Sequence, residues 1–263
     1  MSVEKTKFQC HRLEGKVAIV TAATLGIGLA IVERLAHEGA KVVISSRRQA
    51  NIDTAIDSLV KSGICRNRLA GIACHVGDVA QLQKLVDFTI EKFGRIDILV
   101  NNAGINPVFG SALDVSDEMF DKLFQVNVKS GFILTKLVVP HMKKTGGGNI
   151  IFNASFGGYL AGPGIGVYSV TKTTLLGLTK MLATELAPLN IRVNGIAPGV
   201  IKTKMSSAII DEDTGKPALL GNPMDRVGTP EECAGAVAFL VSSDGSYITG
   251  ETILINGGGH ARL

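Results

Sequence analysis

The 263-residue chain has no tryptophan, only three tyrosines and eight prolines, and four cysteines. Cys10, Cys65, Cys74 and Cys233 show no CxxC or disulfide-like spacing, so they read as buried or incidental thiols of a reducing compartment. No stretch approaches the ~18 uninterrupted apolar residues of a membrane span, so none is expected. Residues 1–14 lack an apolar run and carry several charges, so no secretory leader is expected. Charge of one sign is also scarce. Lys+Arg exceed Asp+Glu by 27 − 23 = 4, and no more than two basic residues are adjacent anywhere. A nucleic-acid partner is not expected on that balance. There is no linker, low-complexity tract or repeat. No His/Cys/carboxylate group has ligand spacing, so no metal is expected. Asp211-Glu212-Asp213 reads as solvated surface.

What is present is apolar material, 46% of residues, and 31 glycines, enough for a sizeable core. Short β-branched runs at 17–21, 42–46, 69–74, 96–100, 149–154, 191–197 and 252–256 read as strands. The segments between the first six are long enough for helices. Near-continuous apolar strands joined by helices predict a parallel sheet covered on both faces. Right-handed crossovers then give one doubly wound, Rossmann-like α/β domain with a mostly parallel seven-stranded sheet. Residues 200–229 interrupt the rhythm with a polar, Gly/Pro-containing segment, a candidate substrate lid. Regular folding resumes at Thr229-Pro230-Glu231-Glu232, where Thr can cap a helix, Pro can open it and Glu follows three residues on.

The first strand runs into Thr21-Ala22-Ala23-Thr24-Leu25-Gly26-Ile27-Gly28 and then a helical stretch. Such a turn aims free backbone N–H groups, with the partial positive charge of a helix N-terminus, at whatever sits there; a pyrophosphate fits. Gly26 permits close approach of a ligand and Gly28 close packing of helix on sheet. An NAD site usually ends its second strand with a carboxylate for the adenosine 2′-hydroxyl. Here that strand ends Ser45-Ser46-Arg47-Arg48, two hydroxyls and two guanidiniums suited to a 2′-phosphate. The expected cofactor is NADP(H).

Tyr168 and Lys172 are four residues apart in a helical stretch and so face the same way. A free tyrosine, with a pKa near 10, is a poor acid or base at neutrality, and a nearby ammonium favours the phenolate. Ser155 follows the fifth strand, where its hydroxyl can meet a substrate oxygen. Taken with TAATLGIG (21–28), NNAG (101–104), Asn127 in QVNVKS, Ser155 in FNASFGG, YSVTK (168–172) and IAPGVIKT (196–203), in that order, the sequence resembles the short-chain dehydrogenase/reductase family over essentially its whole length.

The resemblance implies roles. Tyr168 would be the general acid in carbonyl reduction and the base in alcohol oxidation. Lys172 would bond the nicotinamide ribose and lower the Tyr168 pKa. Ser155 would polarise the carbonyl, and Asn127 would anchor a water that links Lys172 to solvent. Thr21, Thr24, Gly26, Ile27 and Gly28 would hold the phosphates, and Ser46, Arg47 and Arg48 the 2′-phosphate. Adenine contact would rest on backbone at Val76 or on a different side chain, Asn101 and Gly104 would line the adenosine side, and Ile201 and Thr203 would hold the carboxamide end. Two departures from the family pattern stand out. Ala22 replaces the usual first glycine of the loop. His75 replaces the usual acid near the adenine, a place Asp78 could take instead.

Within the family, Ala22 in its loop, SSRR (45–48), CHVGD (74–78), 186–203 and 246–259 resemble the peroxisomal NADP-dependent retinol dehydrogenase/carbonyl reductase group. That group reduces ketones, aldehydes, α-dicarbonyls, quinones and retinal and is typically tetrameric. The resemblance thus implies a small-molecule carbonyl or alcohol substrate and a homotetramer. Val108, Phe109, Phe156, Tyr159, Leu160, Ile165 and Met205 are candidate pocket residues for a bulky apolar carbonyl. A 3-oxoacyl-thioester reductase would use the same catalytic residues, favoured by a basic patch that the sequence does not clearly show. A non-catalytic nucleotide-binding protein would need none of Ser155, Tyr168 and Lys172. The chain ends Ala261-Arg262-Leu263, a small-basic-Leu tripeptide of the type read by a peroxisomal import receptor. The expected location is the peroxisome, with the cytoplasm second.

Overall fold

The structure is a computed structural model, and it describes residues 11–162, 164–207, 210 and 222–259. Seven strands form one sheet: β1 (Val17–Thr21), β2 (Lys41–Ser46), β3 (Leu69–Ala73), β4 (Ile98–Asn101), β5 (Gly148–Asn153), β6 (Ile191–Pro198) and β7 (Thr252–Ile255). Their order is β3-β2-β1-β4-β5-β6-β7, and every pairing is parallel. All seven expected strands are found.

The β1 sequence shows why both faces must be covered. Ala18 and Val20 point to one side and Ile19 to the other, and all three are fully buried. Ala18 and Val20 join a core with α1 (Gly26–His37), α2 (Gln49–Lys61) and α7 (Pro230–Val241). Ile19 joins the opposite core with α3 (Val79–Phe93), α5 (Ser130–Lys144) and α6 (Gly166–Leu186). The remaining helix, α4 (Asp117–Phe124), leads through a π-helical turn, Gln125–Lys129, into α5. Among the described residues no helix is long and apolar enough to cross a membrane.

The chain winds outward from β1 to β3, then jumps back to place β4 on the other side of β1. At such a reversal the connections leave in opposite directions and open a crevice at the carboxyl ends of the strands, where ligands bind in this architecture. The interruption after β6 is pinched at its neck. Ile201 pairs with Gly228, and the Gly228 N–H donates to the Val200 carbonyl at 2.9 Å. The segment therefore leaves and returns at one point on the crevice rim. Its stretch 211–221, with Asp211-Glu212-Asp213, lies outside the described residues. The expected cap of α7 is present, with the Thr229 N–H donating to Glu232 Oε2 at 2.8 Å in a reciprocal capping box.

Candidate active site

A cleft of about 510 Å³ opens at the carboxyl ends of β1, β4, β5 and β6. It falls within the usual range for small-molecule sites. Ser155, Tyr168 and Lys172 all line it, as do Gly26, Ile27, Gly28, Gly104, Ile201 and Thr203.

Ser155 closes β5. Its hydroxyl accepts the Gly157 N–H at 3.0 Å, which fixes the rotamer while leaving a proton to donate. Tyr168 and Lys172 occupy successive turns of α6. Tyr168 is half-buried, and the dense protein around it penalises the phenolate, raising its pKa above the ordinary value; the Ser155 hydroxyl opposes this. In the protein alone burial sets the direction, opposite to the lowering by Lys172 that the family resemblance implies. The resting form is the neutral phenol, a proton donor. Lys172 is buried, and the loss of hydration pulls its ammonium down to about 8. Its Nζ donates to the Asn153 carbonyl at 2.7 Å and sits 5.5 Å from the Tyr168 ring centre.

Asn127 lies in the π-helical turn. Its Oδ1 accepts the Ile105 N–H at 2.8 Å, and its Nδ2 donates to the Ile105 carbonyl and to Thr171 Oγ1, both at 3.0 Å. The Thr171 hydroxyl in turn donates to the Tyr168 carbonyl at 2.6 Å. Asn127 therefore ties the loop after β4 to the helix that bears Tyr168 and Lys172. A π-helical turn of this kind often marks a functional position.

The glycine junction behaves as a receptor for an anion. Leu25 stands at the N-cap of α1 with no capping side chain, and the first turn holds no acid, so the first N–H groups are left for a ligand. Gly26 has φ +55°, a backbone region that favours glycine. A Cβ on Gly28 would stand 2.5 Å from Asn102 Nδ2 and 2.6 Å from the Ala22 carbonyl oxygen. That space is denied to any larger residue. Thr203 lies across this loop, its Cγ2 3.1 Å from where a Gly26 Cβ would be.

A family model described as enoyl-(acyl carrier protein) reductase matches residues 21–260. Dehydrogenase/reductase SDR family member 4 of Caenorhabditis elegans is 60% identical over 258 residues, which cover 97% of this chain and 98% of that protein. The human protein of the same designation is 48% identical over 252 residues, covering 95% and 90%. The chain belongs to the short-chain dehydrogenase/reductase family. It is an oxidoreductase by that membership. Among solved structures, a 7α-hydroxysteroid dehydrogenase complexed with NADH and 7-oxo glycochenodeoxycholic acid superposes with TM-score 0.87 at 33% identity, covering 97% of this chain and 99% of that one. A 3-ketoacyl-(acyl-carrier-protein) reductase from Brucella melitensis complexed with NADH gives TM-score 0.85 at 35% identity, covering 94% and 98%.

The dinucleotide fit can be tested residue by residue in this family member. Thr24 Oγ1 donates to Ser46 Oγ at 3.4 Å, joining the glycine junction to the end of β2. Arg47 and Arg48 are exposed beside it, and among the described residues no ion pair engages either. Thr21 is different. Its buried hydroxyl accepts the N–H groups of Asn102 and Ala103, both at 3.0 Å, and donates to the Val100 carbonyl at 3.4 Å. It holds the NNAG segment rather than facing the cleft. Asn101 is likewise buried, against Thr135, and it is Asn102 that lines the cleft. Gly104 sits beside Lys172, where a Cβ would stand 3.3 Å from the ammonium nitrogen. Val76 packs against the core beneath α3 and α5. The Asp78 carboxylate caps α3 and also accepts from Gln81 Nε2, so its bonds in the protein serve the helix. His75 Nδ1 accepts the Gly77 N–H at 3.1 Å.

Of the apolar pocket candidates, Phe156, Leu160, Ile165 and Met205 line the cleft. Val108, Phe109 and Tyr159 do not. Phe109 is 64% exposed and lies over Gly164, and the Tyr159 hydroxyl donates to the Thr252 carbonyl at 3.4 Å. Sequence reasoning missed Asn102, Asn153 and Asn256, which also line the cleft.

Proposed function

We propose that this protein is an NADPH-dependent carbonyl reductase, taking ketones, aldehydes, α-dicarbonyls or retinal-like compounds to alcohols. One observation carries the reading: a neutral Tyr168 phenol, backed by the Ser155 hydroxyl and the Lys172 ammonium, faces a cleft walled by Phe156, Leu160, Ile165 and Met205. Bound reduced nicotinamide supplies the hydride to the carbonyl carbon. Ser155 donates a hydrogen bond to the carbonyl oxygen and sets its place. Tyr168 gives that oxygen its proton, and Lys172 stabilises the phenolate left behind. In the oxidative direction the phenolate takes the proton back. Arg47, Arg48 and the Thr24–Ser46 hydroxyl pair support a 2′-phosphate, since no carboxylate stands at the end of β2 to repel it.

A second reading, a 3-oxoacyl-thioester reductase, draws support from the matched family model and the ketoacyl reductase neighbour. NADPH and NADH oxidation across aromatic ketones, diketones, retinal and acetoacetyl thioesters separates the two. The expected result is faster turnover with NADPH and with bulky carbonyls. A thioester outperforming every ketone and aldehyde moves the assignment to the second reading. Tyr168→Phe keeps the ring and loses the proton, so turnover should fall roughly 10²–10⁴-fold while NADPH still binds. Near-wild-type reduction by that variant refutes the role.

The reading extends to a homotetramer, checked by light scattering. It also extends to import into peroxisomes through residues 261–263, which lie outside the described residues. A fluorescent protein carrying the last ten residues should become punctate and lose that pattern when Leu263 is deleted.

A further inference from the structure

Lys172 and the glycine junction stand on different elements, α6 and the β1–α1 turn, yet one residue is bonded to the first directly and to the second through a single intermediary, Asn102. The main-chain carbonyl of Asn153, at the end of β5, accepts the Lys172 Nζ at 2.7 Å. Its side-chain Nδ2 donates to Asn102 Oδ1 at 2.8 Å. Asn102 Nδ2 then donates to the carbonyls of Thr21 at 2.9 Å and Ala22 at 3.1 Å. Ala22 opens the glycine loop with φ +50°, an arrangement an alanine adopts only when its surroundings impose it.

The direction of this chain is fixed. The Thr21 and Ala22 carbonyls can only accept, so Asn102 must turn its NH2 toward them and its oxygen toward Asn153. Asn153 must therefore offer its NH2, which leaves its own Oδ1 buried with no hydrogen-bond partner among the described residues. Asn153 is only 8% exposed. A buried, unpaired acceptor costs stability, and an apolar residue of similar shape would avoid that cost. The side chain is thus a poor choice for folding, and what it secures is the register between the phosphate loop and the catalytic lysine.

We propose that Asn153 is a positioning residue, which through Asn102 holds the Ala22 peptide and the Lys172 ammonium in one rigid frame so that cofactor binding and proton transfer share a geometry. This rests on the reading of the protein as an NADPH-dependent reductase. The Asn153–Asn102 bond is its working part. Removing the Asn153 side chain frees Asn102, which lines the cleft and can turn to water, and the Ala22 peptide loses its restraint.

The test is a double-mutant cycle read by NADPH binding, through quenching of its fluorescence, and by carbonyl turnover at saturating NADPH. Asn153→Leu should weaken NADPH about tenfold and lower kcat several-fold, with Tm unchanged or raised because the orphan acceptor is gone. Asn102→Ala should weaken NADPH by at least as much. Joined with Asn153→Leu it should weaken binding no further than Asn102→Ala alone, since both act through one bond. A fully additive pair overturns the proposal. So does an Asn153→Leu protein whose only change is a lower Tm, which is the mark of a merely structural residue. Wild-type protein is the control. If it neither binds NADPH nor reduces any carbonyl, the functional reading fails and the positioning role with it. A normal wild type with an additive cycle fails the positioning role alone.

Discussion

At the β1–α1 junction and again at β3–α3, a parallel strand ends, a short turn follows, and a helix begins on the same edge of the sheet. The two helix N-termini are treated in opposite ways. In α3, Asp78 supplies a carboxylate that accepts the Ala80 N–H at 2.9 Å and the Gln81 N–H at 3.3 Å. The donors are spent inside the protein. In α1 the N-cap is Leu25, which has nothing to offer and is 65% exposed. Its donors are left for a ligand, at the place where the crevice opens. Capping stabilises a helix, and of these two it is the helix without a cap whose N-terminus lines the cleft.

The strongest way to break this difference is to fill the space that the β1–α1 turn keeps empty. Gly28→Ala puts a Cβ 2.6 Å from the Ala22 oxygen and 2.9 Å from the Ala23 Cα, both backbone atoms that cannot swing aside. Overpacking of this kind costs about 1–3 kcal/mol, so NADPH affinity should fall about 10–100-fold if the turn shifts to relieve it. Titration of NADPH fluorescence measures this. Unchanged affinity would mean that the ligand does not need this turn.

A subtler change makes α1 resemble α3. Leu25→Asp gives the helix the cap it lacks and sets a carboxylate where a phosphate is expected. The ligand-free protein should gain stability, up to about 1 kcal/mol from the cap and the helix dipole, seen as a higher Tm. NADPH binding should weaken about tenfold, most at low salt, because the two anions repel. A more stable protein with undiminished affinity would show that the α1 terminus is not the phosphate site.

Most of the fold was legible because a parallel sheet buried on both faces requires short, nearly continuous β-branched runs, and every run from 17–21 to 252–256 forms a strand. The candidate catalytic residues were placed by the sequence for a related reason: Tyr168 and Lys172 share one helix and Ser155 follows one strand, so each is positioned by local structure. What was not legible depends on single-residue register at strand ends. Asn101 and Asn102 are neighbours in sequence, but the first turns into the core against Thr135 and the second into the cleft. Thr21 reads as a ligand contact until its hydroxyl is seen holding two N–H groups of another strand's loop. The pairing of Asn153 with Asn102 spans 51 positions and leaves no periodic trace. Asp78 did carry a signal: an acid three residues before Gln81 at the start of an amphipathic helix is a cap signature, which points away from an adenine contact.

The smallest expected effect comes from the other side of the comparison. Asp78→Ala uncaps α3 and should lower Tm by a few degrees while leaving NADPH affinity within about twofold, since its carboxylate serves the helix and not the cleft. The pH dependence gives a second check. Hydrogen bonds from Gln81, through side chain and backbone, together with the Ala80 N–H hold the Asp78 carboxyl below its ordinary 3.8. A carboxyl whose pKa is lower in the folded than in the unfolded chain contributes stability above the unfolded value, and that contribution is lost as pH falls through the folded one. The Tm difference between wild type and Asp78→Ala should therefore be constant from pH 7 to about pH 5 and shrink only below about 3.8. A variant that binds NADPH much more weakly, with no change in Tm, would instead place Asp78 at the adenine, and the two junctions would then both serve the ligand.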